Sequence, residues 1–445
     1  VPELDWLGKK HVINHHNDVP FRFLKMSGSH SIHTSDNLLI EGDNLEALKS
    51  LLPYYRGRIK CIYIDPPYNT GNEKWVYNDN VNSPQIRKWL GNVVGIDDLS
   101  RHDKWLCMMY PRLVLLRDLL HEDGFIFVSI DDNEAHSLRY LLNDIFNESN
   151  FRSCIIIKRG PKSVQMQFDT VDKLGSGYET VLMYSKNKSV RFKKILEKLN
   201  ESSKSYWNNH WRGTDRRTMR YPLLGKTPSS GQWRWDEKRS MQAVENYNNM
   251  LQDLHKTESD ITQSEIDEWH ARKKQEGEKR IDLLRLSDKD KPEHYVPETD
   301  TRLVNDIWFD IKPNGSKTLS KMQLRFDNPK PVALIKRIVQ FMMNDDDTIL
   351  DSFAGSGTTA QAVLELNNED GGNRKFILIE MDSKIAKNIT FKRIKNTIRS
   401  IGGGVPDSPT APSVSSCLTA MAESARTAPL SSLQILCSSQ RRTGR

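Results

Sequence analysis

The sequence predicts an α/β fold, a doubly wound and mostly parallel sheet with an antiparallel edge, interrupted by an inserted domain. Three observations predict it. The short apolar runs "NLLIEGD", "IKCIYIDPP" and "GFIFVSIDD" each stop at an acid or a proline, as strands buried on both faces do. Between the last two, "HDKWLCMMYPRLVLLRDLLHEDG" has helical spacing with Gly124 as its stop, and strand-helix-strand order implies parallel pairing. From about residue 328 the same grammar resumes after a long basic stretch that lacks it.

Taken in order, residues 1–37 read as an N-terminal extension. Residues 38–190 form the first half of the sheet. There, Asp43 and Asn44 follow "NLLIEG" where a helix N-cap is expected, Asp65-Pro66-Pro67-Tyr68 follows "IKCIYI", and Asp131 and Asp132 follow "GFIFVSI" as caps for the helix "NEAHSLRYLL", with a place in the cleft as the alternative. "CIIIKRG" and "YETVLMYSKN" supply the antiparallel edge. Residues 191–310 lose the strand pattern, becoming basic and Trp-rich and then helical around "SEIDEWHARKKQEGEKRIDLL". Residues 311–401 close the sheet. "NPKPVALIKRIVQFM" opens a helix on proline, "TILDSFAGSGTTAQAVLEL" is strand, glycine turn and helix, and "RKFILIEMD" is a strand ending on acid. Residues 402–445 are dominated by Ser, Ala, Thr and Pro and read as a disordered or aberrant end, with a truncated or frame-shifted origin as the hypothesis.

Composition narrows the function classes. With 37% hydrophobic and 28% charged residues and no apolar run of the roughly 18 residues a span requires, the chain reads as soluble, with no membrane partner. Five scattered cysteines and no secretory h-region fit a reducing cytoplasmic setting. His11, His15 and His16 lack the pattern of a metal site, and none is expected. The net charge of +7 is unevenly placed. Residues 152–239 hold 20 Lys and Arg against 8 Asp and Glu, leaving the remainder net acidic, which is a footprint for a polyanion.

Two motifs carry chemistry. After "TIL", Asp351-Ser352-Phe353-Ala354-Gly355-Ser356-Gly357 brings backbone close to a ligand at the start of a helix. It lacks the Gly-Lys-Ser/Thr of a phosphate-gripping loop and the full dinucleotide spacing, so a nucleoside-bearing cofactor is the better guest. Glu380, ending the next strand, stands where such sites place a carboxylate on ribose. The second motif is Asp65 to Tyr68. In the insert, Arg212, Arg216, Arg217, Arg220, Arg234 and Arg239 lie among Trp233, Trp235 and other aromatics, a pattern for gripping phosphates and base edges or for a small aromatic core.

With both motifs present, the chain resembles amino-group DNA methyltransferases of the permuted β class. More closely, "EGDNLEALKSLLPYYRGRIKCIYIDPPYNTGN", "DKWLCMMYPRLVLLRDLL", "KPVALIKRIV" and "LDSFAGSGTTAQAVLELN" resemble Mod subunits of type III restriction-modification systems. The resemblance implies a Rossmann-like, circularly permuted sheet using S-adenosylmethionine, with target recognition in the insert. It implies that the turn at 353–357, with Asp351, holds the methionine moiety, Glu380 the ribose and Asp43 the adenine amino group, with Lys330 and Pro331 the remaining cofactor element. It also implies that Asp65 and the Pro66 carbonyl accept hydrogen bonds from a flipped adenine N6, that Pro67 helps fix the turn, and that Tyr68 stacks on the base. Double-stranded DNA and a restriction (Res) subunit are the implied partners, with a homodimer left open. Cytosine-N4 methylation, and an inactive DNA-binding specificity subunit, stand as alternatives.

Overall fold

The apolar runs become strands of a single large sheet. The structure, a computed structural model, describes residues 4–26, 37–70, 91, 100–160, 174–278, 280–401 and 417–422. The chain divides into two compact units, Val1–Lys193 with Asn305–Arg445, and Lys194–Val304. The second runs a few residues inside the 191–310 segment drawn from sequence.

Along the chain, the first part of the sheet unit contributes β1 (Leu24–Met26), β2 (Asn37–Glu41), helix α1 (Asn44–Tyr55) and β3 (Ile59–Ile64). It continues with α2 (Arg101–Leu119), β4 (Leu120–Ile130), α3 (Ala135–Phe146), β5 (Phe151–Lys158) and β6 (Tyr178–Ser185). Helix α2 starts on a capping box, in which Ser100 and Asp103 satisfy each other's backbone N–H groups. Its residues Leu113 and Leu116 are fully buried with Ile126 and Val128 of β4, each contributing about 1.5–3 kcal/mol by leaving water.

The inserted unit is not the strandless region the sequence suggests. It holds β7 (Leu196–Ser203), β8 (Tyr206–Asn209), β9 (Trp211–Arg212), β10 (Gln232–Trp233), α4 (Glu237–Asp253), α5 (Gln263–Gln275), β11 (Leu284–Leu286), β12 (Pro292–Val296) and β13 (Thr299–Leu303). These pair as three small sheets, β10-β9, β11-β12-β8 and β13-β7. Strands that are polar, such as "LEKLNESS", or only two to five residues long, as the others here are, bury too little to show an apolar alternation.

The sheet unit then resumes with β14 (Ile307–Trp308), α6 (Val332–Met342), β15 (Thr348–Asp351), α7 (Thr358–Asp370), β16 (Lys375–Glu380), α8 (Phe391–Ile401) and β17 (Cys417–Ala422). Its sheet has the order β1-β17-β2-β16-β15-β3-β4-β6-β5-β14. From β17 to β4 every pairing is parallel, while β4, β6 and β5 pair antiparallel. The edge expected from "CIIIKRG" and "YETVLMYSKN" is therefore antiparallel, extended by β14. Of the segment 402–445, Cys417–Ala422 departs from the disordered reading by pairing with β2. The rest of that segment lies outside the described residues.

Gly124 is not a helix stop. Helix α2 ends at Leu119, β4 begins at once, and Gly124 lies inside the strand, where a Cβ would come within 2.9 Å of the Lys60 carbonyl oxygen. The β3–β4 register shifts between Ile59 and Cys61, so the glycine serves an irregular, closely approached strand.

Candidate functional site

The two motifs meet because of strand order. β3 and β15 are adjacent and parallel, with Ile62 opposite Leu350, so Asp65 and the glycine turn leave the same edge of the sheet side by side. Ligands of open α/β sheets bind at that edge. A cleft there is lined by Tyr63 and Asp65, by Asn328, Pro329 and Lys330, and by residues of the glycine turn.

Around the tetrapeptide, the fixed geometry is extensive. Trp105, fully buried in α2, donates its indole N–H to the Pro67 carbonyl at 2.7 Å. No hydrogen bond reaches the Pro66 carbonyl among the described residues. Asn69, at φ 55°, donates to the buried Glu134 and to the Arg101 carbonyl, which clamps the exit of the motif. Tyr68 differs from the stacking wall expected of it. It is only 6% exposed, and its hydroxyl donates to Asp65 Oδ1 at 2.9 Å.

Lys330 joins the glycine turn to the tetrapeptide. Its carbonyl accepts from the Thr358 hydroxyl at 3.4 Å beside the glycine turn, while its ammonium lies 3.0 Å from Asp65 Oδ1, 3.0 Å from Glu179 Oε2 and 2.6 Å from the Tyr68 hydroxyl. Pro331, at φ −63°, is the N-cap of α6 and sets Lys330 at the helix entrance. Burial raises the Asp65 carboxyl above the usual carboxylate range, Lys330 opposing and Glu179 reinforcing the rise. Burial also pushes Glu179 up, but Lys330 and Arg159 outweigh it and leave that carboxyl below its usual value. Lys330 is raised against its own burial by the two carboxylates.

Glu179 was missed in the sequence. Its signal was one acid opening the apolar strand "YETVLMY". Because β6 runs antiparallel to β4, with Thr180 opposite Ile130, that acid sits at the C-terminal edge of the parallel strands. Asp131 is likewise drawn toward the site. Its side chain accepts from Asn133 within a turn and lies 3.9 Å from Arg159, whereas the N-cap of α3 is Glu134. The capping role expected of Asp131 and Asp132 is thus not seen; Asp132 accepts from the Tyr178 hydroxyl at 3.3 Å.

The glycine turn is built as a cradle. Gly355 and Gly357 have φ of 49° and 78°, and a Cβ on Gly357 would come within 2.9 Å of the Thr390 methyl carbon. Asp351 accepts from the Phe353 N–H at 3.1 Å and the Thr359 hydroxyl at 2.6 Å, and burial pushes its carboxyl up to about 7. The Ala354 N–H donates to the Ile379 carbonyl. Glu380 accepts from the Gly355 N–H at 2.9 Å and from the Asp382 N–H at 2.9 Å. Arg393, fully buried, donates to Ser356 Oγ at 2.7 Å and Thr358 Oγ1 at 2.8 Å from behind the turn.

Asp43 adopts the N-cap position of α1, accepting from Leu45 and Glu46, with its other oxygen 3.5 Å from Arg112. Arg112 in turn donates to Asn44, which donates to the Ser352 carbonyl at 3.2 Å, so the β2 end and the glycine turn are tied together. Among the buried oxygens without a partner in the described residues are Ser352 Oγ and Glu41 Oε2, at the ends of β15 and β2. Orphaned acceptors and donors beside a glycine turn, with Glu380 at the next strand end, fit a hydroxyl-rich nucleoside group.

The inserted unit sorts the candidate DNA-binding residues into two groups. Trp233 is 4% exposed in a core with Tyr221, Leu223, Ala243 and Leu284. Trp235 packs edge-on against His210 and His294 and under Arg239, which forms a two-bond pair with Asp282. Arg220 donates to the Gly231 carbonyl and pairs with Asp215, and Arg234 donates to the Asn209 carbonyl. These five side chains build the unit. Arg212, Arg216 and Arg217 are exposed and make no side-chain bond among the described residues.

A parallel sheet that sets a polar Asp-Pro-Pro-Tyr strand end beside a nucleoside-accepting glycine turn defines a protein of the nucleotide-cofactor α/β class with a second, adjoining polar site. Within that class, residues 59–392 match the DNA methylase family model, and the chain belongs to that family. It is 31% identical over 86% of its length to the EcoPI Mod subunit of a type III restriction-modification enzyme from Escherichia phage P1, covering 64% of that protein. It is 32% identical over 82% of its length to the StyLTI Mod subunit from Salmonella typhimurium, covering 56%. The chain therefore spans less than two thirds of the length of these two relatives. It is also 30% identical over 81% of its length to the type II methyltransferase M.KpnI of Klebsiella pneumoniae, covering 84%.

Proposed function

We propose that this protein is a site-specific DNA methyltransferase that transfers a methyl group from S-adenosylmethionine to adenine N6, as the modification subunit of a type III restriction-modification system. One observation carries the reading: Asp65-Pro66-Pro67-Tyr68 and the glycine turn end neighbouring parallel strands. Similarity to Mod subunits supports the type III assignment, a restriction subunit as partner and double-stranded DNA as substrate.

Bound at the turn, S-adenosylmethionine supplies an electrophilic methyl group. The chain's own residues do the rest. The main chain of 353–357 would hold the cofactor's amino-acid end and Glu380 its ribose, with the Ser352 hydroxyl a further polar group beside the turn. Adenine N6 is a weak nucleophile, its lone pair delocalised into the ring, and in a duplex it is paired as well, so the base must be flipped out. The Asp65 carboxylate and the Pro66 carbonyl accept its two amino hydrogens, turning the lone pair toward the methyl group. Trp105, by holding the Pro67 carbonyl, and the restricted φ of the two prolines fix that geometry in advance. As the N6–carbon bond formed and the methyl–sulfur bond broke, its electron pair returning to sulfur to leave a neutral thioether, the amine would gain positive charge that Asp65 would stabilise, taking the proton then released.

Tritiated-methyl transfer to unmethylated DNA, followed by nucleoside analysis, tests the reading. N6-methyladenine is expected. N4-methylcytosine would replace adenine as substrate, and no label despite specific DNA binding would make this an inactive specificity subunit. Asp65→Ala is expected to lower transfer by at least about a hundredfold while cofactor affinity is retained. Undiminished transfer would remove Asp65 from the reaction.

A further inference from the structure

Asp65 is already occupied. Its Oδ1 accepts from both Tyr68 and Lys330, so an ammonium already sits on the carboxylate that the methyl-transfer reading gives to a base amino group. The three N–H donors of Lys330 are matched by Asp65, Glu179 and Tyr68, and Glu179 Oε1 is 3.4 Å from Arg159. An ammonium and an exocyclic amine are alike as N–H donors.

We propose that Glu179 is a positioning residue for methyl transfer: it anchors Lys330 so that the ammonium withdraws from Asp65 when the amino group of the target base takes that place. The inference rests on the methyl-transfer reading above. Lys330 is 8% exposed, so leaving Asp65 without another anion would strand a buried charge, which is costly. Glu179, at the same 3.0 Å, lets Lys330 keep an ion pair throughout. Lys330 thus keeps the seat polar and Asp65 aligned before the base arrives, and Glu179 makes the exchange cheap.

A pH signature follows from the charges that face these groups. Asp65 faces Lys330, Glu179, Tyr68, Tyr63 and Asp351, and Glu179 also faces Arg159 and Asp131. Neutralising Glu179 removes the anion that raises Asp65 and commits Lys330 to it. Asp65 then ionises at lower pH.

Glu179→Gln in the full chain is expected to slow single-turnover transfer by about tenfold or more, with cofactor affinity kept and the acid limb of the pH–rate profile moved to lower pH. Glu179→Asp is expected to recover part of the rate and restore the limb, and it serves as the test if the Gln variant does not fold. A wild-type rate and profile in Glu179→Gln, or a loss that follows the folded fraction with the limb unmoved, overturns the proposal. Carbon-13 titration of the Asp65 carboxyl, assigned with Asp65→Asn, gives a readout independent of turnover. If the parent chain transfers no methyl, the methyl-transfer reading fails, whereas an Asp65 titration unmoved by Glu179→Gln overturns this inference.

Discussion

Asp351 shows how burial turns a motif residue into a pH-dependent one. Its carboxyl titrates near 7 in the folded chain against an ordinary 3.8, chiefly through burial, with Asp65 adding to the rise. A raised folded-state value means that folding favours the protonated form. The stability it gives is full below about pH 4 and lost as pH rises through about 7, at up to about 1.4 kcal/mol per pH unit. Thermal or denaturant unfolding across that window should therefore show the parent losing stability relative to Asp351→Asn, which cannot titrate; parallel curves would overturn this. Asp351 and Asp65 were legible as site residues because each lies in a contiguous pattern. Glu179 and the true partners of Lys330 were not, because their roles come from the antiparallel turn of β6 and from a side chain that crosses between strand ends. A lone acid in "YETVLMY" says nothing of its neighbours until strand order is known.

Among the elements, the glycine turn owes its shape to parts that follow it. Its sequence announces close backbone approach, yet Arg393 of α8 holds it from behind, with donors on Ser356 and Thr358 and a further bond from Nε to Gln361 at 2.7 Å. Burial lowers this guanidinium to about 10, so it stays charged at neutral pH. Arg393→Met keeps much of the apolar stem but leaves buried acceptors unpaired, and is expected to cost on the order of 3 kcal/mol. Denaturant unfolding measures that cost, and cofactor titration should show weaker binding in protein that remains folded. Unchanged stability would mean the turn stands without its brace. No sequence signal marked Arg393, since a basic residue in "FKRIKNTIRS" reads as an exposed helical charge. By contrast the strands of the large sheet were legible, because burial on both faces forces a continuous apolar run. Those of the inserted unit are held by a few aromatics, with Tyr247, Met250, Ile266 and Trp269 in one small core and Trp233 in another.

For the molecule as a whole, the chain order of the two units sets the decisive experiment. The sheet unit is interrupted between Lys193 and Asn305, and within the inserted unit the Val304 N–H donates to the Ile195 carbonyl, so the two ends of the insert lie side by side. A short flexible linker in place of 196–303 therefore closes the gap without stretching the chain. If the arginine-rich start of the insert supplies the grip on DNA, the linked sheet unit should keep cofactor binding and lose most DNA affinity. Within the full chain, Arg212, Arg216 and Arg217 are the exposed arginines of the predicted set, whereas Trp233 and Arg239 are committed to its core and its ion pairs. For every phosphate no longer neutralised by the protein, the slope of log affinity against log salt should flatten by about 0.9. Replacing the three with Ala is expected to flatten it by about two to three and leave thermal stability nearly unchanged, while Trp233→Ala should chiefly destabilise the unit, by about 3–5 kcal/mol. A salt slope unmoved by the triple replacement would place the DNA grip on other residues, because counterion release follows the neutralised phosphates wherever on the protein the neutralising charge sits.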